Sequence, residues 1–104
     1  MTALFIVRAE VRDASVRDAF DRWYEDEHLR DAVAAFEARR AWRGWSRDDA
    51  RVHLACYEFD SVEAAEAVKD SDALRAMIAE FDRRWGERVT RTREIVSVSQ
   101  SLPS

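Results

Sequence analysis

Apolar and polar positions along the chain change rhythm several times, and each rhythm predicts an element. Residues 3–11 alternate with a period of two, which is the signature of a strand. Phe5, Val7, Ala9 and Val11 share one face; Leu4, Ile6, Arg8 and Glu10 share the other, apolar at one end and polar at the other. The spacing then becomes helical. Asp13 or Ser15 can cap the open end by accepting a backbone N–H bond. Val16, Phe20 and Trp23 follow, with Tyr24 one step round. No glycine or proline interrupts this run, so the helix is expected to reach about residue 34. Glu27 and His28 extend the same side, where the next core residue is due. A charged pair arriving on a buried stripe needs partners or a cavity.

Residues 37–47 and 51–59 read as two strands joined by Ser46-Arg47-Asp48-Asp49-Ala50, a connection of hairpin length. His53, Ala55, Tyr57 and Phe59 lie on one face of the second strand; Val52, Leu54, Cys56 and Glu58 lie on the other. Ser61 is an N-cap before helix formers, and Ser71 or Asp72 opens a further helical piece. In that piece Leu74, Met77, Ile78, Phe81 and Trp85 hold helical spacing, with Gly86 near its end. Residues 91–99 form a last strand, in which Ile95 alternates with Thr92, Glu94, Val96 and Val98. The tail, about 100–104, is expected to fray.

The order is β-α-β-β-α-β in a single α+β domain, 1–104, with no internal repeat or linker. This is the ferredoxin-like arrangement: a four-stranded antiparallel sheet with helices on one face. The other sheet face still carries Leu4, Ile6, Val96 and Val98, which one short chain cannot cover. Homodimerisation through that open face is the expectation.

Composition narrows the function classes. Hydrophobic content of 47% with 37% charged residues describes a globular mixture. No apolar run is long enough to span a bilayer. The N-terminus has neither a basic leader nor a cleavage pattern, so a cytoplasmic location is the default expectation. The net charge is −4 and Lys69 is the single lysine. Acids and arginines are interspersed, which argues against a nucleic-acid binder. One cysteine, Cys56, leaves no internal disulfide and no multi-cysteine metal site. With only Gly44 and Gly86 there is no glycine-rich phosphate loop.

Candidate chemistry concentrates in Trp23-Tyr24-Glu25-Asp26-Glu27-His28-Leu29 and the basic segment Ala35-Phe36-Glu37-Ala38-Arg39-Arg40 that follows. His28 can remove or return a proton near neutral pH. The bland alternative is that it ties the helix to the sheet by hydrogen bonds. Tyr24 and Trp23 either line a pocket for an aromatic substrate or pack as core. Glu27 need not orient His28, because neighbours on a helix diverge by about 100°. Among Arg39, Arg40 and Arg43, one could hold a carboxylate or phenolate while the others pair with Glu37, Asp48 or Asp49. Trp42 and Trp45 fall on opposite faces, so only one faces a given pocket. His53 and Tyr57 share a strand face and either join His28 in a polar cavity or pack under the helices. A metal held by His28, His53 and a carboxylate would lack any diagnostic spacing.

Trp23, Tyr24, Glu27, His28 and Leu29, then Phe36, Ala38, Arg39 and Arg40, resemble in order and spacing the dimeric α+β barrel superfamily, in its EthD-like branch and that branch's uncharacterised relatives. Arg30 stands where that pattern has proline, and Ala34-Ala35 replaces its Pro-Gly, so the first helix is expected to run further or end less sharply. The resemblance implies two ferredoxin-like sheets packed face to face. It implies one pocket per subunit, between the first helix and the sheet. It also implies a small aromatic or polyketide-like metabolite, handled by proton transfer or cofactor-free oxygenation. His28 and Tyr24 would be catalytic; Trp23, Glu27, Arg40, Trp42, His53 and Tyr57 would bind substrate. No cofactor is expected; the resemblance admits heme on His28, but nothing in the residues encodes a heme cavity. The rival expectation is a non-catalytic homodimer that binds a metabolite or a protein.

Overall fold

In a computed structural model, residues 2–103 are described. Met1 and Ser104, the two ends of the expected domain and tail, lie outside the described residues. Strand β1 spans Ala3–Val11. A 3₁₀ turn, Ala14–Val16, leads into α1, Arg17–Trp23. A π-helical turn, Tyr24–His28, joins α1 to α2, Leu29–Phe36. The hairpin β2, Arg40–Trp45, and β3, Val52–Phe59, comes next. Helices α3, Val62–Lys69, and α4, Asp72–Trp85, precede β4, Val89–Ser97. The sheet order is β2-β3-β1-β4, antiparallel throughout. This is the ferredoxin-like α+β fold, with all helices on one face.

Local chemistry sets the boundaries. Asp13 accepts from the Ser15 amide, Ser61 from Ala64 and Ser71 from Leu74, so three helical starts are capped as the residue types predict. Gly86 ends α4 at φ 56°, where an L side chain would be strained. The first helix runs two residues beyond the expected 34 and ends at Glu37, which sits in the left-handed region at φ 56°. Strand β2 is shorter than the expected 37–47, because that left-handed residue delays pairing until Arg40. Strand β4 begins two residues earlier than the expected 91 and ends at Ser97.

The core lies between the sheet and the helices. Phe5, Val7, Ala9 and Val11 from β1 face His53, Ala55, Tyr57 and Phe59 from β3, all buried. Phe20 is the hub on the helix side. Its ring packs against Trp23, Tyr24, Trp45, His53, Phe81 and Trp85, with centroids 5.2–6.3 Å away. Burying each such ring stabilises the fold by roughly 1.5–3 kcal/mol. The opposite sheet face leaves Trp42 41% and Leu54 38% exposed, beside half-buried Leu4, Ile6 and Val96. Among the described residues no helix is long and apolar enough to cross a membrane.

Candidate active site between the first helix and the sheet

The site is built by the π turn. Phe20, Tyr24, His28, Ala32 and Phe36 are all buried and recur every four residues. An α-helix repeats every 3.6, so four such steps would drift by about 160° and carry the last residues out of the core. The turn absorbs one extra residue: the Leu29 amide bonds to the Tyr24 carbonyl, five residues back. Both halves of the helix then present the same side to the sheet. Trp23 and His28 would diverge by about 140° on a regular helix. Here their rings stack with centroids 4.2 Å apart and 19° between planes.

His28 points into a small cavity. Tyr24, Tyr57, Arg91 and Arg93 line it with His28, and Phe5, Val7, Phe36, Leu74, Met77, Ile78 and Phe81 supply apolar walls. Its volume is about 20 Å³, room for roughly one water molecule. That is smaller than an aromatic ring and far smaller than a porphyrin, so an organic ligand would enter only if wall side chains gave way. Among the described residues no cluster of three or more His, Cys, Asp or Glu is placed to hold a metal ion.

Burial governs the protonation states. The His28 imidazole is pushed down to about 4, chiefly because burial penalises its charged form, with Asp31 partly opposing. It is therefore neutral at pH 7. Among the described residues no group hydrogen-bonds its ring; Trp23, Tyr24 and Phe81 pack around it. The hydrogen-bonded anchor considered from the sequence is absent among those residues. The Tyr24 phenol is pushed up to about 12 by burial, partly offset by a hydrogen bond with Tyr57. Tyr57 is raised as well, by burial first and then by Tyr24. Both phenols stay protonated and can donate.

Arg91 and Arg93 were not among the residues expected here. The alternation that puts Ile95 on the helix side of β4 puts them there too, paired with Ala9 and Val7 of β1. Arg91 bonds to Asp82 and lies over the Phe81 ring, 3.8 Å from its centroid. Arg93 has no ion-pair partner within 4 Å among the described residues.

The other expected residues fall elsewhere. Trp23 backs His28 from the core and does not reach the cavity. Glu27 is exposed, on the outer side of the π turn, and not on the buried side expected for it. Arg40 and Trp42 pair in register with Glu58 and Cys56, so they project from the open sheet face and not toward His28. There Arg40 pairs with Glu58 at 3.4 Å and lies 5.1 Å from the Trp42 ring centroid. The helix-side phase of β2 is Ala41, Arg43 and Trp45.

His53 is completely buried behind Tyr24, ring centroids 4.4 Å apart, outside the cavity lining. It belongs to a second polar cluster. Asp21 Oδ1 accepts from Arg43 Nη1 and Trp45 Nε1, both at 2.8 Å, and Arg43 Nη1 is 3.3 Å from His53 Nε2. Burial, and then Arg43, push the His53 imidazole down to about 4. Its Nδ1 has no hydrogen-bond partner among the described residues.

Known structures share this architecture. A variant of SnoaB, a cofactor-independent oxygenase from Streptomyces nogalater, superposes with a TM-score of 0.69 at 17% identity, covering 99% of this chain and 98% of its own. An EthD family protein from Bacillus halodurans gives 0.70 at 18% identity, covering 94% of this chain and 99% of its own. HapK from Hahella chejuensis gives 0.69 at 11%, with 98% of both chains covered. No protein-family model matches the chain, and no curated protein sequence matches it. At these identities the likeness establishes the ferredoxin-like fold alone, and the site must speak for the chemistry.

Proposed function

We propose that the protein is a homodimeric small-molecule enzyme acting on an aromatic or polyketide-like metabolite by proton transfer or cofactor-free oxygenation. The carrying observation is His28: a buried, neutral imidazole without a hydrogen-bond partner among the described residues, facing a cavity beside two phenols and two guanidiniums. A histidine that tied the helix to the sheet would be expected to bond its ring nitrogens to one of them. His28 takes a proton from an acidified C–H of the substrate. The electron pair left behind moves onto a conjugated oxygen, where Tyr24, backed by Tyr57, donates a hydrogen bond. Oxygenation adds molecular oxygen to the same carbanion; the peroxide takes back the proton held by His28 and loses water, with the carbon's remaining proton, to leave a carbonyl. The described fold, and the similarity to a chain named as a cofactor-independent oxygenase, support this reading.

The test is hydrogen–deuterium exchange at C–H and oxygen uptake over a panel of enolisable aromatic ketones and hydroquinones. Wild type and His28→Gln would be compared. Turnover above the uncatalysed rate that disappears in His28→Gln is expected. No turnover on any member sinks the reading. One observation favours a second reading, a non-catalytic binding module: the cavity of about 20 Å³ leaves no room beside His28 for a reacting organic ring as it stands. Binding of ring compounds without exchange or oxygen uptake would establish it.

A further inference from the structure

Two arginines converge on the cavity from one strand. Arg91 and Arg93 are two residues apart on the helix side of β4, so their Cα atoms stand roughly 6–7 Å from each other. Both line the cavity with the hydroxyl-bearing Tyr24 and Tyr57. Among the described residues Asp82 is the single carboxylate bonded to this pair, and it bonds to Arg91. Its side chain is 60% exposed, so it neutralises the interior weakly. The Arg91 side chain, 11% exposed, and the more exposed Arg93 therefore face one partial counter-charge. Burial holds both guanidiniums below their usual range, and Arg93 adds to the effect on Arg91. An anion entering between them would relieve that repulsion and gain charge-assisted hydrogen bonds. Half-buried Met77 and Ile78 supply an apolar rim next to these charges.

Resting on the enzymatic reading above, we propose that the substrate enters as an anion. Arg91 and Arg93 take the carboxylate, phenolate or enolate oxygen of a small aromatic acid, Tyr24, itself accepting from Tyr57, donates to the same oxygen, and the ring lies against Met77 and Ile78, which give way to admit it. This selects acidic aromatic compounds over neutral isosteres. It also sets the charged oxygen beside His28, where a neutral base is needed to take a further proton.

The test titrates benzoate and its neutral isostere benzamide into the full-length protein, followed by tryptophan fluorescence and by amide chemical shifts. Wild type, Arg93→Gln and Arg91→Gln would be compared, each first shown folded by its melting curve. Benzoate should bind about tenfold or more tightly than benzamide, and this preference should shrink with salt. Arg93→Gln should bring the two ligands to near equality. Equal binding of both ligands to wild type, no benzoate binding at millimolar concentration, or an unchanged preference in both variants would each overturn the proposal. His28→Gln separates this from the catalytic reading: it should abolish proton transfer while leaving the benzoate preference intact.

Discussion

The Trp23 indole lies flat on the His28 imidazole, 4.2 Å between centroids. A protonated imidazole over an indole face would gain cation–π attraction. Burial outweighs that gain, and the His28 pKa falls to about 4 instead of rising. The stack therefore holds a neutral base in a dry place. His53 is depressed to about the same value.

Acid should unfold the protein through these two rings. In the unfolded chain each imidazole titrates near 6.5, and in the folded chain near 4. Between those values the unfolded state binds more protons, so stability is full above about pH 6.5 and is lost as pH falls toward 4. The loss is on the order of 3 kcal/mol for each ring. Urea unfolding at steps from pH 7.5 to 4.5 checks this. His28→Phe should stay flat where wild type declines, apart from the share carried by His53. Parallel curves for the two proteins would mean that His28 is protonated in the folded state.

The π turn should be replaceable by a regular helix once its extra residue is removed. Asp26 is exposed on its outer side. Deleting Asp26 turns the four-residue rhythm of Phe20, Tyr24, His28, Ala32 and Phe36 into one that a regular helix satisfies. The melting temperature should hold within a few degrees or rise. Trp23 and His28 then become an i, i+4 pair, about 40° apart on a regular helix, so their stack should persist and tryptophan fluorescence should stay near that of wild type. A deletion variant that fails to fold would show that the turn serves the fold itself.

The fold was legible because period-two and helical rhythms are dictated by which faces are buried, and caps such as Asp13, Ser61 and Ser71 are local chemistry. The site was half legible. His28, Tyr24 and Tyr57 meet because they sit on buried phases of their own elements. Arg40 and Trp42 went astray for want of the β2–β3 register: a one-residue change of phase moves a side chain through the sheet. Glu27 was misplaced because a plain 3.6-residue helix was assumed, although buried positions spaced by four already argue for an inserted residue. Arg91 and Arg93 were readable from the phase of Ile95, but arginines on a buried phase look like a flaw in the strand pattern until a cavity explains them.

Asp21 and Arg43 should be strongly coupled. Asp21 Oδ1 accepts from both Arg43 and Trp45, and the Arg43 side chain is only 16% exposed. Asp21→Ala strands a nearly buried guanidinium beside His53 and should cost about 2–3 kcal/mol. Arg43→Met in the same background should recover much of that loss, because an apolar chain of similar length needs no counter-charge. A double-mutant cycle by chemical unfolding reads the coupling. Additive losses would show that the pair contributes no more than surface charges.

Glu37 ends the first helix in a left-handed conformation that costs an L-residue roughly 1–2 kcal/mol. It is exposed. Glu37→Gly should raise stability by up to about 1 kcal/mol, the gain reduced by glycine's greater freedom in the unfolded chain. Thermal unfolding measures this, and a lower melting temperature would mean that the Glu37 side chain holds the turn.

The open sheet face should bind a second copy of the chain. Trp42 and Leu54 are the large apolar side chains most exposed within the sheet, flanked by Leu4, Ile6 and Val96 on the same face. Arg40 and Glu58 form an ion pair beside Trp42 and give the patch a polar border. Apolar area of this kind is a liability in a free monomer and the usual centre of a stable interface. Leu54→Glu would place a carboxylate in the middle of the patch, and burying it unpaired would cost several kcal/mol at a symmetric interface that carries it twice. Light scattering coupled to size exclusion should give twice the chain mass for wild type and the chain mass for Leu54→Glu, with the circular dichroism spectrum retained. The cavity lies on the other side of the sheet, so benzoate binding should survive dissociation if each subunit carries a whole site. Wild type eluting at the mass of one chain would leave the patch without this partner.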